Sequence, residues 1–280
     1  MHSMEQISLK LRKDIFLAAY SAGVGHLASS FSAVEIMRAL YLEGVMRFDP
    51  QNPNWEGRDY FILSKGHGSL ALYTALSEAG VFSHEELTKF CRPDGILGGE
   101  PHILDAPGIE ASTGSLGHGL SIGVGMALAL ACDKKDNRVF VLVGDGECQE
   151  GSVWEAIMSA SAFGLSNLTM IVDHNRIQKM DFVDKIIKMS NLSERLETFG
   201  WQVKSVDGHD VGALKEAISG TWEDGRPRCV LAETIKGKGL SIMENNPAWH
   251  WRMPNKRELK VFMQELGITQ EELDRCKEHI

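Results

Sequence analysis

The sequence predicts an α/β fold, a parallel sheet with helices on both faces. Short apolar runs alternate along the chain with longer segments that carry apolar residues at helical spacing. The run Val139 to Val143 is apolar throughout and stops at Gly144, which is typical of a strand covered on both faces. A chain of 280 residues is long enough to bury a full core. We therefore expect a single domain over residues 1–280, with a helical tail over about 254–280.

Each element is predicted from its own pattern. Apolar runs predict strands at Tyr60 to Leu63, Val139 to Val143, Leu168 to Val172, near Val203 to Val206, and Cys229 to Ala232. Helical spacing predicts helices at Ile7 to Ala22, Ala33 to Leu42, about Leu70 to Ala79, Leu116 to Cys132, about Val153 to Phe163 and near Val211 to Ser219. Ser83 has the pattern of an N-cap for a further helix that runs to Cys91. Pro254 precedes the tail, which has the pattern of one or two amphipathic helices.

Composition excludes several function classes. The 29 Lys and Arg residues are outnumbered by 38 Asp and Glu residues, so the net charge is −9. This balance argues against binding to nucleic acid or to an anionic membrane. The five cysteines are widely spaced and form no Cys-X-X-Cys pair, which argues against a disulfide framework and a zinc site. The cysteine pattern therefore indicates a reduced, cytoplasmic protein. The N-terminal segment lacks the apolar stretch of a signal peptide.

Three predicted strands end in loops with unusual chemistry. Ligands of parallel sheets sit at the carboxyl ends of the strands. The loops read Ser64-Lys65-Gly66-His67-Gly68, Gly144-Asp145-Gly146-Glu147-Cys148-Gln149-Glu150-Gly151 and Asp173-His174-Asn175-Arg176-Ile177-Gln178. The second loop is not a dinucleotide-binding loop, because Gln149 occupies the position of the third glycine.

Asp145 and Asn175 are candidate metal ligands. Each follows an apolar run, and 28 residues lie between Gly146 and Asn175. Adjacent parallel strands would bring the two side chains together. A carboxylate, an amide oxygen and a backbone carbonyl form half of an oxygen shell that Mg²⁺ commonly completes with phosphate oxygens and water.

Five motifs in order identify a family. They are Gly25-His26, Ser64-Lys65-Gly66-His67-Gly68, the stretch Pro107 to Gly119, the Gly-Asp-Gly segment followed by Asn175, and Lys236-Gly-Lys-Gly239 followed by His250. Gly-Asp-Gly at this distance from Asn resembles the diphosphate signature of thiamine-diphosphate enzymes. The whole set, over about residues 7 to 252, resembles transketolase.

The resemblance implies a thiamine-diphosphate-binding fold and two ligands, thiamine diphosphate and Mg²⁺ or another divalent cation. Asp145, Asn175 and the carbonyl of Ile177 would hold the metal. His67, Gly146, Glu147 and His250 would bind the cofactor, and Gly114, Ser115 and Leu116 would lie beside its rings. Leu116 fits almost as well as the first residue of a core helix.

The resemblance also implies catalytic residues. His26 and His250 match histidines near the transferred group, and a histidine can stabilise or shuttle a proton near neutral pH. Glu100 departs from the family, which has a histidine in contact with the donor sugar at this position; His102 lies two residues away. Glu150 and Glu155 match glutamates that link subunits in the family, but acids at a helix start also favour the helix dipole.

The match covers only the diphosphate-binding part of a full transketolase. We therefore expect the N-terminal subunit of a two-chain enzyme, inactive alone, that transfers a two-carbon ketol unit from a ketose (phosphate) donor to an aldose acceptor. Its partner would carry the pyrimidine-binding domain, in a heterotetramer with two copies of each chain. A specialised donor or acceptor, a 2-oxoacid dehydrogenase or deoxyxylulose-phosphate synthase type of chemistry, and a non-catalytic cofactor-binding subunit stay open.

Overall fold

The computed structural model describes residues 2–189, 191–223 and 225–277. Its centre is a five-stranded sheet in which all pairings are parallel and the strand order is β1-β2-β3-β5-β4. The strands are β1 (Tyr60–Leu63), β2 (Val139–Gly144), β3 (Leu168–His174), β4 (Gln202–Asp207) and β5 (Arg228–Glu233). The predicted parallel sheet is confirmed, and each predicted strand is present.

Helices precede β1, fill the connections between the strands and follow β5. Those described are α1 (His2–Ala22), α2 (Leu27–Phe31), α3 (Val34–Tyr41), α4 (Ser69–Ala79), α5 (Glu85–Thr88), α6 (Gly119–Cys132), α7 (Gly151–Ala162), α8 (Val183–Ile186), α9 (Leu192–Thr198), α10 (Val211–Ser219), α11 (Glu258–Leu266) and α12 (Gln270–Lys277). None of the described helices is long and apolar enough to cross a membrane.

The sheet is covered on both faces, as the sequence predicts. Successive residues of a strand point to opposite faces. Phe140 and Leu142 of β2 therefore join a core with α1, α3, α4 and α10, whereas Val141 and Val143 join a second core with α6, α7 and α9. A strand buried on both sides needs apolar residues at every position, which explains the uninterrupted run in β2.

Three predicted helix boundaries are wrong. Helix α1 begins at His2 and not at Ile7. Helix α6 begins at Gly119 and not at Leu116, because Gly117 has a φ of +85° and donates its N–H to the Glu147 carboxylate (2.8 Å). Leu116 thus lies in a loop. The helix predicted to reach Cys91 ends at Thr88, although the Ser83 hydroxyl does accept a hydrogen bond from the N–H of Glu85 (3.1 Å).

The C-terminal tail forms two helices that pack on the first helix of the chain. Phe262 of α11 lies 4.8 Å from Phe16 of α1, measured between ring centroids, and Leu273 of α12 is buried in the same core. The predicted tail is therefore continuous with the main core over the described residues; positions 278–280 lie outside them.

A buried polar network holds the loop that follows β5. Arg12 of α1 forms a two-armed ion pair with Glu35 of α3 (2.7 and 2.8 Å) and donates to the carbonyl of Lys238 (2.7 Å). His209 shares a hydrogen bond with Glu35 (2.9 Å) and accepts one from the N–H of Ile235 (2.8 Å). Because a neutral imidazole accepts at one nitrogen only, the Ile235 bond assigns the proton to Nδ1. The network thus fixes the backbone on both sides of position 236.

This network predicts an acid-sensitive contribution to stability. Burial alone would raise the pKa of Glu35, but the bonds from His209 and Arg12 lower it to about 2, from 4.5. A depressed pKa stabilises the fold above the unfolded value of 4.5, and the effect is lost as the pH falls through about 2. The shift corresponds to about 3 kcal/mol. We expect the unfolding free energy of Glu35→Gln, from urea titrations, to lie below wild type at pH 6.

The difference in unfolding free energy between Glu35→Gln and wild type should narrow as the pH falls from 4.5 toward 2. Glu223→Gln, which removes a 74% exposed carboxylate paired with Arg226, is the matched control and should show no such convergence. A gap that stays constant over this range would contradict the assignment.

Candidate functional site

A cavity of about 360 Å³ opens at the carboxyl ends of the strands. Eleven of the predicted site residues line it: His26, His67, Glu100, Gly114, Leu116, Asp145, Gly146, Glu147, Asn175, Ile177 and His250. Ser115 is not among the lining residues, and its side chain is exposed. Residues up to 224 positions apart in the sequence thus meet in one place (26 and 250).

A buried ion pair joins two of the strand-end loops. The Lys65 ammonium, after β1, donates to the carboxylate of Asp173 in β3. Asp173 also accepts hydrogen bonds from Ser32 (2.7 Å), Asn175 (3.1 Å) and Thr234. Burial would raise the pKa of Asp173, but the Lys65 charge and these hydrogen bonds lower it below the usual value. Asp173 is therefore a charged and fully satisfied anchor.

Asp145 is a buried carboxylate in the opposite situation. It is 4% exposed and accepts hydrogen bonds from the backbone N–H groups of Gly146 (2.7 Å) and Arg176. In the part of the chain that the structure describes, no ammonium or guanidinium pairs with it. Burial and the charge of Asp173 raise the pKa of Asp145 to about 6. A nearby cation would stabilise the charged form of this carboxylate.

Asn175 and Ile177 lie on either side of Arg176, whose backbone N–H donates to the Asp145 carboxylate. Asn175 Oδ1 accepts a hydrogen bond from the N–H of Ile177 (3.1 Å), and both residues line the cavity. The carbonyl of Ile177 accepts a hydrogen bond from the Lys236 ammonium (2.9 Å). Burial and the charge of Lys65 lower the pKa of Lys236 to about 8. The carbonyl predicted as a metal ligand thus already attracts a positive charge.

Three histidines form a cluster across the cavity. The ring centroids of His26, His67 and His250 lie 5.2 to 5.5 Å apart. Burial and the charge of Lys236 lower the pKa of His26 to about 4 and that of His250 to about 3. Burial and the charge of Lys65 lower the pKa of His67 as well. All three imidazoles are therefore neutral near pH 7.

The tautomer of His250 follows from its neighbour. Lys236 Nζ lies 3.1 Å from Nδ1 of His250, and an ammonium can only donate. Nδ1 is thus the acceptor and Nε2 carries the proton. His250 presents an N–H donor on the side away from Lys236.

The glycine loops allow close approach of two backbone segments. A Cβ at Gly66 would lie 2.7 Å from the backbone nitrogen of Gly114, so a side chain there is excluded. Glu147 holds the neighbouring segments together: its carboxylate accepts from Ser64 (2.5 Å), Gly117 (2.8 Å) and the N–H of Gly144 (3.0 Å). Glu147 lines the cavity, but its oxygens are engaged with the protein.

Glu100 lies at the mouth of the cavity. Its side chain is exposed and rests on Gly114, where an added Cβ would lie 1.9 Å from Glu100 Oε2. Gly114 has a φ of +137°, so the contact depends on glycine. His102 does not take the place of Glu100: it is not a lining residue, its side chain is 54% exposed, and it faces Asp105 at 3.6 Å. Glu150 and Glu155 are exposed outside the cavity.

The residues present fit a metal–diphosphate group. The hydroxyl of Ser29 is buried, lines the cavity and makes no hydrogen bond within the described residues. Together with Lys65, Lys236 and the N–H of His250, it can bind an anion, while Asp145 can bind a cation. No group of three His, Cys, Asp or Glu side chains able to hold a metal occurs among the described residues. The predicted shell does not need one, because Mg²⁺ keeps waters and phosphate oxygens as ligands.

Sequence reasoning missed Ser29, Lys65 and Lys236 as lining residues. The two lysines lie inside two of the five family motifs, and their position beside the glycines was the available signal. Ser29 lies in the short helix α2, which was not predicted, and nothing in its local sequence marks it.

Comparisons with known proteins identify the family. Residues 13–278 match the family model described as "Transketolase, thiamine diphosphate binding domain". The chain is 36% identical to one of the subunits of the apulose-4-phosphate transketolase of Phocaeicola vulgatus, over 98% of both chains. It is 41% identical to one of the subunits of the 6-deoxy-6-sulfo-D-fructose transketolase of a Clostridium species, over 89% of this chain and 92% of that one. The chain belongs to the transketolase family.

Solved structures agree with this assignment. The transketolase of Pichia stipitis in complex with sedoheptulose 7-phosphate superimposes with a TM-score of 0.85 at 26% identity, over 98% of this chain and 43% of that one. The human transketolase is 36% identical over 95% of this chain but only 42% of its own length. The predicted resemblance to the N-terminal subunit of a split transketolase is thereby confirmed.

The ion pair between Lys65 and Asp173 predicts a large loss of stability when it is broken. Lys65→Met leaves a buried carboxylate unpaired, which costs about 3–5 kcal/mol. We expect a loss of this size in guanidinium unfolding at pH 7. Lys185→Met, which removes an exposed partner of Asp181, should change stability by less than about 0.5 kcal/mol.

The double variant Lys65→Met/Asp173→Asn should recover part of the loss, because it removes both charges. Additive losses in the double variant would contradict a direct pairing.

Proposed function

We propose that this chain is the cofactor-holding subunit of a two-chain transketolase. It would bind thiamine diphosphate with Mg²⁺ or another divalent cation, and transfer a two-carbon ketol unit from a ketose to an aldose once its partner chain is present. The whole chain would act as one diphosphate-binding domain in the cytoplasm. The observation that carries the proposal is a cavity in which the groups able to bind an anion lie next to the Asp145 carboxylate. These groups are Ser29, Lys65 and Lys236, and no cationic side chain among the described residues pairs with Asp145.

Asp145, Asn175 and the Ile177 carbonyl would hold the metal. The Lys236 ammonium, which donates to that carbonyl (2.9 Å), would then turn to the diphosphate. His67, Gly146 and the hydroxyl of Ser29 would bind the diphosphate oxygens. Glu147 would act by holding the loops on which these groups lie.

Gly114, Ser115 and Leu116 would border the cofactor rings. The Glu100 side chain rests against Gly114. The side chain of Leu116 is 36% exposed and is free to contact a ligand. Thiamine diphosphate, when bound, supplies the carbon nucleophile for cleavage and transfer of the ketol unit. The chain itself supplies binding, orientation and proton-handling groups.

His26 and His250 would contact the sugar near the reacting carbons. Both are neutral near pH 7, because burial and Lys236 lower their pKa values to about 4 and 3. A neutral imidazole can both donate and accept, so His26 can hold a hydroxyl of the sugar or take up its proton. His250, whose Nδ1 accepts from Lys236, can donate its Nε2–H to a sugar hydroxyl.

Glu100 would recognise the donor. An exposed carboxylate accepts hydrogen bonds from hydroxyl groups and repels anions. This favours a ketose, whose end at the reacting carbons is a neutral alcohol, over a 2-oxoacid, which carries a carboxylate there. The two split relatives are named for apulose 4-phosphate and 6-deoxy-6-sulfo-D-fructose, which are ketoses with an anionic group away from the ketol end. We propose a donor of this class.

A second chain would complete the active site. This chain spans 43% of a solved single-chain transketolase, and similar chains of the same length are named as subunits. The partner would supply the pyrimidine-binding domain, in an assembly with two copies of each chain. The exposed Glu150 and Glu155 are free to contact it. A non-catalytic role is disfavoured because Asp145 and the histidine cluster are intact.

The metal site predicts loss of cofactor binding in Asp145→Asn. The substitution keeps the shape but removes the charge that attracts the cation, so we expect at least about a tenfold weaker affinity for thiamine diphosphate in the presence of Mg²⁺. Isothermal titration calorimetry on the complex with the partner measures it. Asp133→Asn, at the exposed end of α6, is the matched control. Equal affinities of the two variants would contradict the metal site.

The donor site predicts a change in donor preference in Glu100→His. Ketol transfer from fructose 6-phosphate to ribose 5-phosphate should require both subunits. Relative to wild type, Glu100→His should change KM for the donor about fivefold or more, and the affinity for the cofactor should stay unchanged. An unchanged donor KM would show that Glu100 does not contact the donor.

A further inference from the structure

One aromatic side chain beside the histidine cluster takes no part in the metal, diphosphate or donor contacts proposed above. Trp251 follows His250 directly, and 59% of it is exposed. Its ring centroid lies 5.0 Å from that of His26, at an interplanar angle of 45°. The indole therefore borders the histidine cluster from the solvent side.

The neighbours of Trp251 are held rigidly. Trp249 is 1% exposed and packs against Phe262, with ring centroids 5.5 Å apart. The guanidinium of Arg252 lies 3.6 Å from the centroid of the Trp249 ring and forms a two-armed ion pair with Glu258 (2.7 and 2.9 Å). The exposure of Trp251 is thus set by a fixed segment and does not come from a loose loop.

The chemistry of this position suits a sugar. The indole presents an apolar face, and its N–H makes no hydrogen bond to any described residue, so the ring has a free donor. Glu100 and the neutral imidazole of His26 offer acceptors around the neighbouring cavity, and His250 offers its Nε2–H as a donor. An apolar face beside unpaired donors and acceptors complements a carbon chain that carries hydroxyl groups.

We propose that Trp251 is a substrate-contact residue that packs its indole against the C–H face of the sugar and donates its N–H to a sugar hydroxyl. The inference rests on the proposed ketol transfer. It extends that function by naming a specificity-determining side chain in this chain, outside the metal and diphosphate contacts. The sugar can be the ketose donor or the aldose acceptor, and the experiment distinguishes the two.

Fluorine NMR tests the contact without reference to turnover. The chain contains six tryptophans, and 5-fluorotryptophan labelling of the complex with thiamine diphosphate, Mg²⁺ and the partner gives one resonance for each. The variant Trp251→Phe assigns the Trp251 signal. We expect this signal to shift saturably with fructose 6-phosphate or ribose 5-phosphate, and not with inorganic phosphate. The signal of Trp55, which is 44% exposed, serves as the internal control and should not move.

Kinetics then identifies the sugar that makes the contact. Trp251→Leu should raise KM for one of the two sugars about tenfold with kcat within about twofold, because binding energy is lost equally in the ground state and transition state. Trp251→Phe should recover most of the loss, and the matched variant Trp55→Leu should behave as wild type.

Three results would overturn the proposal. They are a Trp251 signal that does not move at saturating sugar, an unchanged KM in Trp251→Leu, and weaker association with the partner as the sole effect, which would place Trp251 at the interface between the two chains. A shift of the Trp251 signal in a complex that shows no ketol transfer would refute the proposed reaction but support the sugar contact.

Discussion

The site depends on the buried ion pair between Lys65 and Asp173. The two residues belong to the ends of β1 and β3, which are separated in the sheet by β2. Asp173 also accepts hydrogen bonds from Ser32 and Asn175. It therefore holds both the junction between α2 and α3 and the start of the loop after β3. Removing either charge would leave the other buried and unpaired, which costs free energy. This penalty keeps the two loops joined by the ion pair in place.

The distribution of charge in the cavity follows from this anchor. Lys65 is neutralised by Asp173, which leaves Lys236 as a buried ammonium with a lowered pKa and Asp145 as a buried carboxylate with a raised one. Neither forms a direct ion pair with the other; Lys236 instead contacts the Ile177 carbonyl. A bound cation and anion would satisfy both groups, and burial together with the positive charges keeps the neighbouring imidazoles neutral. The same network of charges would therefore serve both the proposed cofactor binding and the proposed proton transfer.

The sheet and most of the lining residues could be predicted from the sequence. Strands such as β2 are buried on both faces, and this constraint appears directly as an uninterrupted apolar run. The start of α6 could not, because Gly117 leaves the helical conformation only through its long-range bond to Glu147. Lys236 was likewise missed as a lining residue, since its importance comes from the turn that brings the Ile177 carbonyl to it. Local patterns predict elements, whereas contacts between distant loops require the fold.

Asp145, Asn175 and the Ile177 carbonyl are proposed to form one cation site. A crystal structure of the two-chain complex grown with thiamine diphosphate and Mn²⁺ would test this claim, with anomalous scattering to locate the metal. We expect one anomalous peak within coordination distance of these three groups, and a Lys236 ammonium that has moved from the Ile177 carbonyl to the diphosphate. A metal located elsewhere, or a Lys236 ammonium that still donates to that carbonyl in the loaded complex, would contradict the claim.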